Sequence, residues 1–176
     1  AFDWEHGVFM GATMSSEQTA AAFGTVGQLR FDPFAMLPFC GYNMADYMAH
    51  WLRIGEEGDS EKLPRIFYVN WFRKDEDGKF LWPGFGENSR VLEWVFRRCD
   101  GEAEAVESPI GYVPAEGEIN TDGLDISAEA MHALTTVDEE GLRDELPQVE
   151  EHLAKFSDRL PGAVRSQLEA LKERLG

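Results

Sequence analysis

The sequence predicts an α/β fold: a mixed sheet is flanked by helices, and a helical tail follows it in the chain. Short apolar runs bounded by glycine, proline or polar residues indicate strands, and two segments repeat apolar residues every three to four positions, as amphipathic helices do. Beyond residue 114 the aromatic residues nearly vanish, and Glu, Asp, Leu and Ala dominate. We therefore expect residues 1–114 to form part of one lobe and residues 115–176 to form an acidic helical tail packed on the same lobe.

The bulk composition limits the classes of protein to consider. The chain has 176 residues, of which 43% are hydrophobic, enough for one ordinary globular core. A net charge of −17 repels phosphate backbones and argues against nonspecific nucleic-acid binding. No apolar run has the length of a membrane span, and the first residues do not resemble a signal peptide. Cys40 and Cys99 lack metal-ligand spacing, so we expect buried, reduced thiols in a cytoplasmic protein.

The first forty residues predict short elements separated by turns. Residues 6–12, HGVFMGA, are interpreted as a strand. A strand so near the first residue needs a neighbour, so we expect the chain to be a piece of something longer. Ser15 or Ser16 is expected to cap a short helical turn, and residues 28–31 are expected to form a weak strand.

The middle of the chain contains the two clearest helices. The first begins after Asn43, and its apolar face is Met44, Tyr47, Met48, Trp51 and Leu52. Residues 65–71, RIFYVNW, are interpreted as a buried strand. The second helix is expected to start with Asn88 or Ser89 as its cap and to run to about Arg98. Its expected buried face is Val91, Leu92, Val95 and Phe96.

The acidic tail predicts helices around residues 127–136, 138–158 and 161–175. Pro147 is expected to kink or divide the middle helix, because proline removes an internal hydrogen bond. Pro161 suits the start of the last one.

Familiar catalytic motifs are mostly absent from the sequence. There is no GxxxxGK(S/T) phosphate loop, since the Gly78-Lys79 pair is followed by Phe80, and there is no GxSxG motif. The histidines are far apart and lack metal spacing: His6, His50, His132 and His152. We therefore expect no metal site made by this chain alone, and we interpret His50 as a packed or surface histidine.

Residues 70–94, NWFRKDEDGKFLWPGFGENSRVLEW, concentrate aromatic rings in a turn-rich segment: Trp71, Phe72, Phe80, Trp82, Phe85 and Trp94. The rings could pack in the core, or they could hold a planar base, with stacking that contributes about 1–3 kcal/mol per base. Asn88 offers a donor and an acceptor that could read a base edge, but it could equally be a plain helix cap. Gly84 and Gly86 would permit close backbone approach. The residues alone leave both interpretations open.

Three segments carry a family resemblance: HGVFMGATMSSEQTAAA, FDPFAMLPFCGYNMADYMAHWL and VNWFRKDEDGKFLWPGFGENSRVLEW. In this order they cover most of residues 4–114 and resemble the C-terminal region of GTP-dependent phosphoenolpyruvate carboxykinases. The acidic tail is similar only loosely. The resemblance implies a C-terminal nucleotide-binding lobe with a lid at residues 15–30 and a guanine loop at residues 70–90.

The resemblance also implies a reaction. Enzymes of this family are carboxy-lyases of gluconeogenesis that convert oxaloacetate and GTP to phosphoenolpyruvate, carbon dioxide and GDP with Mn²⁺ and Mg²⁺. The family's phosphate loop, metal ligands and phosphoenolpyruvate-binding arginines lie upstream of the matching region. We therefore expect a missing N-terminal portion as the partner of this chain, a monomeric cytoplasmic enzyme, and no catalysis by the fragment alone.

Site residues follow from the matching motifs. The guanine pocket implied by the resemblance consists of Phe72, Phe80, Phe85 and Asn88, flanked by Trp71. Trp82 and Trp94 are expected to pack instead. The lid residues implied are Ser16, Thr19 and Ala21, and Phe39 is expected to line the oxaloacetate side. Leu37 and Ser15 stand where relatives carry arginine, so contacts of those arginines are not expected here.

Two other functions compete with this interpretation. A non-catalytic interaction module could use the aromatic loop to bind a peptide or protein, but it would not distinguish GTP from ATP. An ATP-using carboxykinase is disfavoured, because the resemblance assigns the three-phenylalanine cluster to the GTP class. Base selectivity therefore separates the three hypotheses.

Overall fold

The computed structural model describes residues 1–17 and 29–176, and it confirms the predicted α/β class with a helical tail. The α-helices of these residues are α1 (Trp4–Ala12), α2 (Met44–Glu57), α3 (Asn88–Asp100), α4 (Ala128–Thr135), α5 (Glu139–Ala154) and α6 (Gly162–Leu175). The strands are β1 (Ser15–Glu17), β2 (Leu29–Phe31), β3 (Ala105–Ser108) and β4 (Gly111–Pro114). Short 3-10 turns lie at Pro33–Ala35, Leu37–Phe39, Ser60–Lys62, Phe85–Glu87 and Ser157–Arg159.

The strands of the described residues pair in two small antiparallel sheets rather than in one mixed sheet. β1 pairs with β2, which confirms the weak strand predicted at residues 28–31. β3 and β4 form a hairpin in which Ala105 lies opposite Pro114. This hairpin was not predicted from the sequence, because each of its strands has only four residues.

Residues 6–12 are helical, so the strand predicted there is wrong. Asp3 caps α1, since its side-chain Oδ1 accepts a hydrogen bond of 2.8 Å from the backbone N–H of His6. Gly11 is needed inside the helix for packing, because a Cβ at that position would lie 2.5 Å from the Phe34 ring. The glycines that looked like strand boundaries therefore mark close side-chain contacts on a helix.

One further local prediction is wrong, and another lies mostly outside the described residues. Ser15 and Ser16 lie in β1, and the helical turn expected after them falls mostly on residues that the structure does not describe. Residues 65–71 do not form a strand, and Tyr68 within them is exposed. Phe67 instead packs its ring edge-on against Trp94, with centroids 6.0 Å apart. No strand pairs with residues 65–71 among the described residues. We therefore attribute the apolar character of this segment to packing such as the Phe67–Trp94 contact.

The two central helices form where they were predicted. Asn43 caps α2 by accepting from the N–H of Ala45 at 2.9 Å. The predicted face of α2 is confirmed: Met44, Met48 and Leu52 are buried, and Tyr47 and Trp51 pack against them.

The buried face of α3 differs from the prediction. It consists of the buried Trp94 and the partly buried Val91 and Val95, whereas Leu92 and Phe96 are exposed. Val91 and Val95 share a side of the helix with Trp94 or with each other, since residues three and four apart are neighbours on a helix surface.

The tail forms helices close to the predicted ranges. α5 runs unbroken through Pro147, so this proline does not divide the helix. Pro161 stands immediately before α6, as expected for a proline at a helix start.

The chain contains two compact units, residues 1–66 with 139–176 and residues 67–138. The core of the first unit combines α1 and α2 with α5 and α6, and its buried members are Val8, Phe9, Ala12, Met44, Met48, Leu52, Leu153, Leu160, Val164, Leu168, Leu171 and Leu175. The second unit has a smaller core of Trp82, Trp94, Ala103 and Ile119. Each unit thus has its own hydrophobic cluster. The division into residues 1–114 and 115–176 stays a prediction.

The cysteines are free, but they are not buried as predicted. Cys99 is exposed and Cys40 is half-buried. His50 is exposed on α2, and its Nδ1 lies 3.2 Å from Nη2 of Arg53. None of the described helices has both the length and the apolar character that crossing a membrane requires.

Candidate nucleotide-binding site

A tight hairpin organises the first half of the aromatic loop. Lys74 forms an antiparallel bridge with Phe80, and the N–H of Leu81 donates to the carbonyl of Arg73 at 2.9 Å. Asp75 closes the turn by accepting from the N–H of Lys79 at 2.8 Å through Oδ1. This hairpin brings Phe72, at its entrance, next to Phe80.

Phe72 and Phe80 are neighbouring rings that remain largely exposed. Their centroids are 6.2 Å apart and their planes are inclined by 60°, while 71% of Phe72 and 51% of Phe80 are exposed. The Lys74 ammonium lies 5.3 Å from the Phe80 centroid, within cation–π range. Two apolar rings beside a cation form a surface suited to a flat, electron-rich ligand.

Phe85 is the most exposed aromatic residue among those described, at 97%. It follows Gly84 and has a positive φ of 47°, a region that non-glycine residues rarely adopt. Such a backbone costs on the order of 1–3 kcal/mol and persists where surrounding structure holds it. The fold therefore keeps an exposed ring on a strained backbone, although neither feature contributes to packing.

Asn88 is the first residue of α3. Its side chain does not cap the helix, although one interpretation of the sequence expected it to do so. The N-cap position belongs to Glu87, which makes no side-chain cap bond. Asn88 Oδ1 instead accepts a hydrogen bond of 2.9 Å from the indole Nε1–H of Trp82. The half-buried amide is thus held by a neighbouring side chain and stands at the edge of the aromatic loop.

The remaining aromatic residues of the loop pack in the core of the second unit. Trp82 and Trp94 are buried, which confirms their expected packing, and Trp71 is half-buried against the same cluster. The rings therefore separate into three indoles that pack and three exposed phenylalanines. The bond from Trp82 to Asn88 was not predicted from the sequence, although a buried indole N–H usually finds an acceptor.

Two other predicted site residues, Phe39 and Ser16, lie in the first unit. Phe39 ends a 3-10 turn and is 81% exposed. Ser16 is exposed in β1. Thr19 and Ala21, and most of the predicted lid, lie outside the described residues. The ligand contacts assigned to all of these residues stay predictions.

Carboxylates, histidines and thiols do not converge on a metal site in the part of the chain that the structure describes. No group of three or more His, Cys, Asp or Glu side chains there could hold a metal ion. The described residues thus do not fit the Mn²⁺ or Mg²⁺ that the resemblance implies.

Comparison with known proteins identifies close relatives. Residues 1–174 match the family model described as the phosphoenolpyruvate carboxykinase C-terminal P-loop domain. The phosphoenolpyruvate carboxykinase (GTP) of Treponema pallidum (strain Nichols) is 54% identical over 177 residues, which cover 99% of this chain and 29% of that protein. The enzymes of the same name from Renibacterium salmoninarum and Neocallimastix frontalis are both 52% identical, with 99% and 98% of this chain covered. The chain spans 29% and 28% of the length of these two relatives.

Proposed function

Since the chain belongs to the GTP-dependent phosphoenolpyruvate carboxykinase family, we propose that it supplies the guanine-binding surface of such an enzyme. The family match gives no support to the alternative, a non-catalytic module that binds a peptide or protein. The complete enzyme would convert oxaloacetate and GTP to phosphoenolpyruvate, carbon dioxide and GDP.

The observation that carries this proposal is the exposure of three phenylalanines in one loop. Burial of a phenylalanine side chain contributes about 1.5–3 kcal/mol, so a loop that leaves Phe72, Phe80 and Phe85 exposed forgoes that stabilisation. A planar base that stacks on them would recover it. The strained backbone of Phe85 supports this reasoning, because strain clusters at ligand-binding positions.

Asn88 would read the edge of the base. Guanine presents its O6 as an acceptor where adenine presents an amino donor, and an amide N–H₂ can donate only to the former. A site built to donate to O6 would leave polar groups unpaired with adenine, a loss of about 1–3 kcal/mol. Trp71 would flank the pocket without touching the base edge.

The remaining roles belong to the same proposal. Phe39 would line the oxaloacetate side, and residues 15–30, with Ser16, Thr19 and Ala21, would close over the substrates as a lid. Mn²⁺ and Mg²⁺ would be held by the rest of the polypeptide, where they neutralise phosphate charge when bound. The chain alone would lack that machinery. The complete enzyme would be a cytoplasmic monomer of gluconeogenesis.

The test replaces Asn88 with alanine in the complete enzyme and compares kcat/KM for GTP and for ATP. We expect the ratio between them to fall by about 5- to 150-fold, the equivalent of about 1–3 kcal/mol. Asn120→Ala is the matched control, because the Asn120 Oδ1 accepts a hydrogen bond of 3.4 Å from Nη1 of Arg90 in the same unit and is not assigned to the pocket. An Asn88→Ala enzyme that keeps the preference for GTP would refute the assigned role.

A further inference from the structure

The hydrogen bond between Trp82 and Asn88 determines which way the Asn88 amide points. An indole N–H only donates, so the atom that it meets at 2.9 Å must be the amide oxygen and not the amide nitrogen. The N–H₂ group of Asn88 is therefore directed away from Trp82.

Trp82 is a rigid partner for this bond. Only 6% of the residue is exposed, and it packs in one cluster with Trp94, Ala103 and Ile119. Asn88 is equally restrained at its backbone, since it is the first residue of α3. Rotation of the amide by 180° would place its N–H₂ against the indole N–H, where two donors would face each other without an acceptor. That orientation is disfavoured as long as the indole N–H is present.

We propose that Trp82 is a positioning residue that fixes Asn88 as a hydrogen-bond donor and so selects 6-oxopurine nucleotides. The proposal rests on the guanine role proposed above for Asn88. With the amide held in this orientation, the base edge meets a donor, which suits the O6 acceptor of guanine or hypoxanthine. An amide free to rotate could present its oxygen to the amino group of adenine. Trp82 therefore acts on selectivity through Asn88 without contacting the base.

The test is Trp82→Phe in the complete enzyme, with Trp94→Phe as the matched control. Both changes remove a buried indole from the same cluster, but the Trp94 Nε1–H donates to the carbonyl of Glu104, at 3.3 Å, and not to Asn88. We measure kcat and KM for GTP, ITP and ATP. In Trp82→Phe we expect the preference for GTP and ITP over ATP to fall about tenfold, mainly through KM. Trp94→Phe should keep the wild-type ratios even if it lowers stability.

Each outcome bears on the proposal. Wild-type ratios in Trp82→Phe would overturn it, as would an equal loss of ratio in both variants, which would indicate general packing. If Asn88→Ala loses the preference while Trp82→Phe keeps it, only the positioning role fails. A wild-type enzyme without preference for GTP over ATP would refute the proposed function itself. If Trp82→Phe does not fold, benzothienylalanine at this position keeps the bicyclic shape without the N–H and tests the same expectation.

Discussion

At the scale of single residues, exposure and backbone strain coincide at Phe85. A residue that is 97% exposed contributes almost nothing to the core, and its φ of 47° is unfavourable for any side chain with a Cβ. Removal of this side chain should therefore weaken nucleotide use without lowering the free energy of unfolding.

We predict that Phe85→Gly weakens nucleotide use without loss of stability. Glycine adopts the positive φ without strain, so the free energy of unfolding should stay unchanged or rise slightly. Loss of the ring should raise the KM for GTP by about 5- to 150-fold, which corresponds to the 1–3 kcal/mol of one stacked base. Steady-state kinetics and urea denaturation of the complete enzyme measure the two effects.

Phe96→Ala is the control for this change, because Phe96 is also exposed but lies on α3 outside the proposed pocket. It should leave the KM for GTP unaltered. If Phe85→Gly lowered stability and spared the KM, the ring would be a packing element and the proposed guanine surface would be wrong.

At the scale of elements, close helix packing depends on glycines that a helix would otherwise avoid. Gly55 lies in α2, and a Cβ there would come within 2.3 Å of Cδ1 of Trp4. The Trp4 ring cannot shift freely, because its Nε1–H donates to the carbonyl of Trp51 at 2.8 Å. The contact between α1 and α2 therefore requires the absence of a side chain at position 55.

We predict that Gly55→Ala lowers the free energy of unfolding by about 1–3 kcal/mol, as overpacking does. Without the clash, alanine inside a helix would be more favourable than glycine by up to about 1 kcal/mol. Gly162→Ala is the matched control, since Gly162 begins α6 and has open space around its position. It should leave stability equal or raise it, and thermal denaturation of both variants measures the difference. Equal effects in the two variants would contradict the packing explanation.

At the scale of the whole molecule, two histidines are buried in the first unit. Burial lowers the pKa of His6 to about 4, with the ammonium group of Ala1 and the Arg174 charge acting in the same direction and Asp3 opposing it. Burial also lowers the pKa of His152, whose Nε2 lies 2.9 Å from the carbonyl oxygen of Ala12. Both rings are therefore neutral in the folded state near neutral pH.

We predict that acid weakens the fold in a defined range. A histidine with a pKa near 6.5 when unfolded and about 4 when folded binds more protons in the unfolded state between these values. The free energy of unfolding should hence be fully retained above about pH 6.5 and fall as the pH decreases toward 4. Urea denaturation of this chain at pH 7.5, 6.5 and 5.5, chosen around the unfolded pKa of about 6.5, measures this slope.

His6→Asn should make that slope shallower, because it removes the imidazole that titrates. The amide oxygen of asparagine can still accept the hydrogen bond that Nδ1 receives from the N–H of Phe2 at 3.0 Å, so the local contact is kept. His50→Asn changes an exposed histidine and should leave the slope as in the wild type. An unaltered slope in His6→Asn would show that acid acts through other groups.

The sequence by itself determined the family and the helices from α2 onward, but not α1. Periodic apolar residues and a capping Asn43 predicted α2, and ordered runs such as GFGENSRVLEW identified the family, because both signals are local in the chain. Short elements were predicted less well. The strands expected at residues 6–12 and 65–71 are absent, since an apolar run of seven residues is compatible with a strand, a helix or a loop that packs.

The residues themselves left open which aromatic rings are buried, and the family resemblance implied the division that the structure shows. Only the tertiary structure decided which way Asn88 points. Trp82 and Trp94 enter a core while Phe72, Phe80 and Phe85 stay exposed, although all five occur within one short segment. Burial depends on contacts with residues distant in sequence, such as Ile119, and no local pattern records them. The same holds for the Trp82–Asn88 bond, because the direction of a side chain follows from packing around it and not from its position in the sequence.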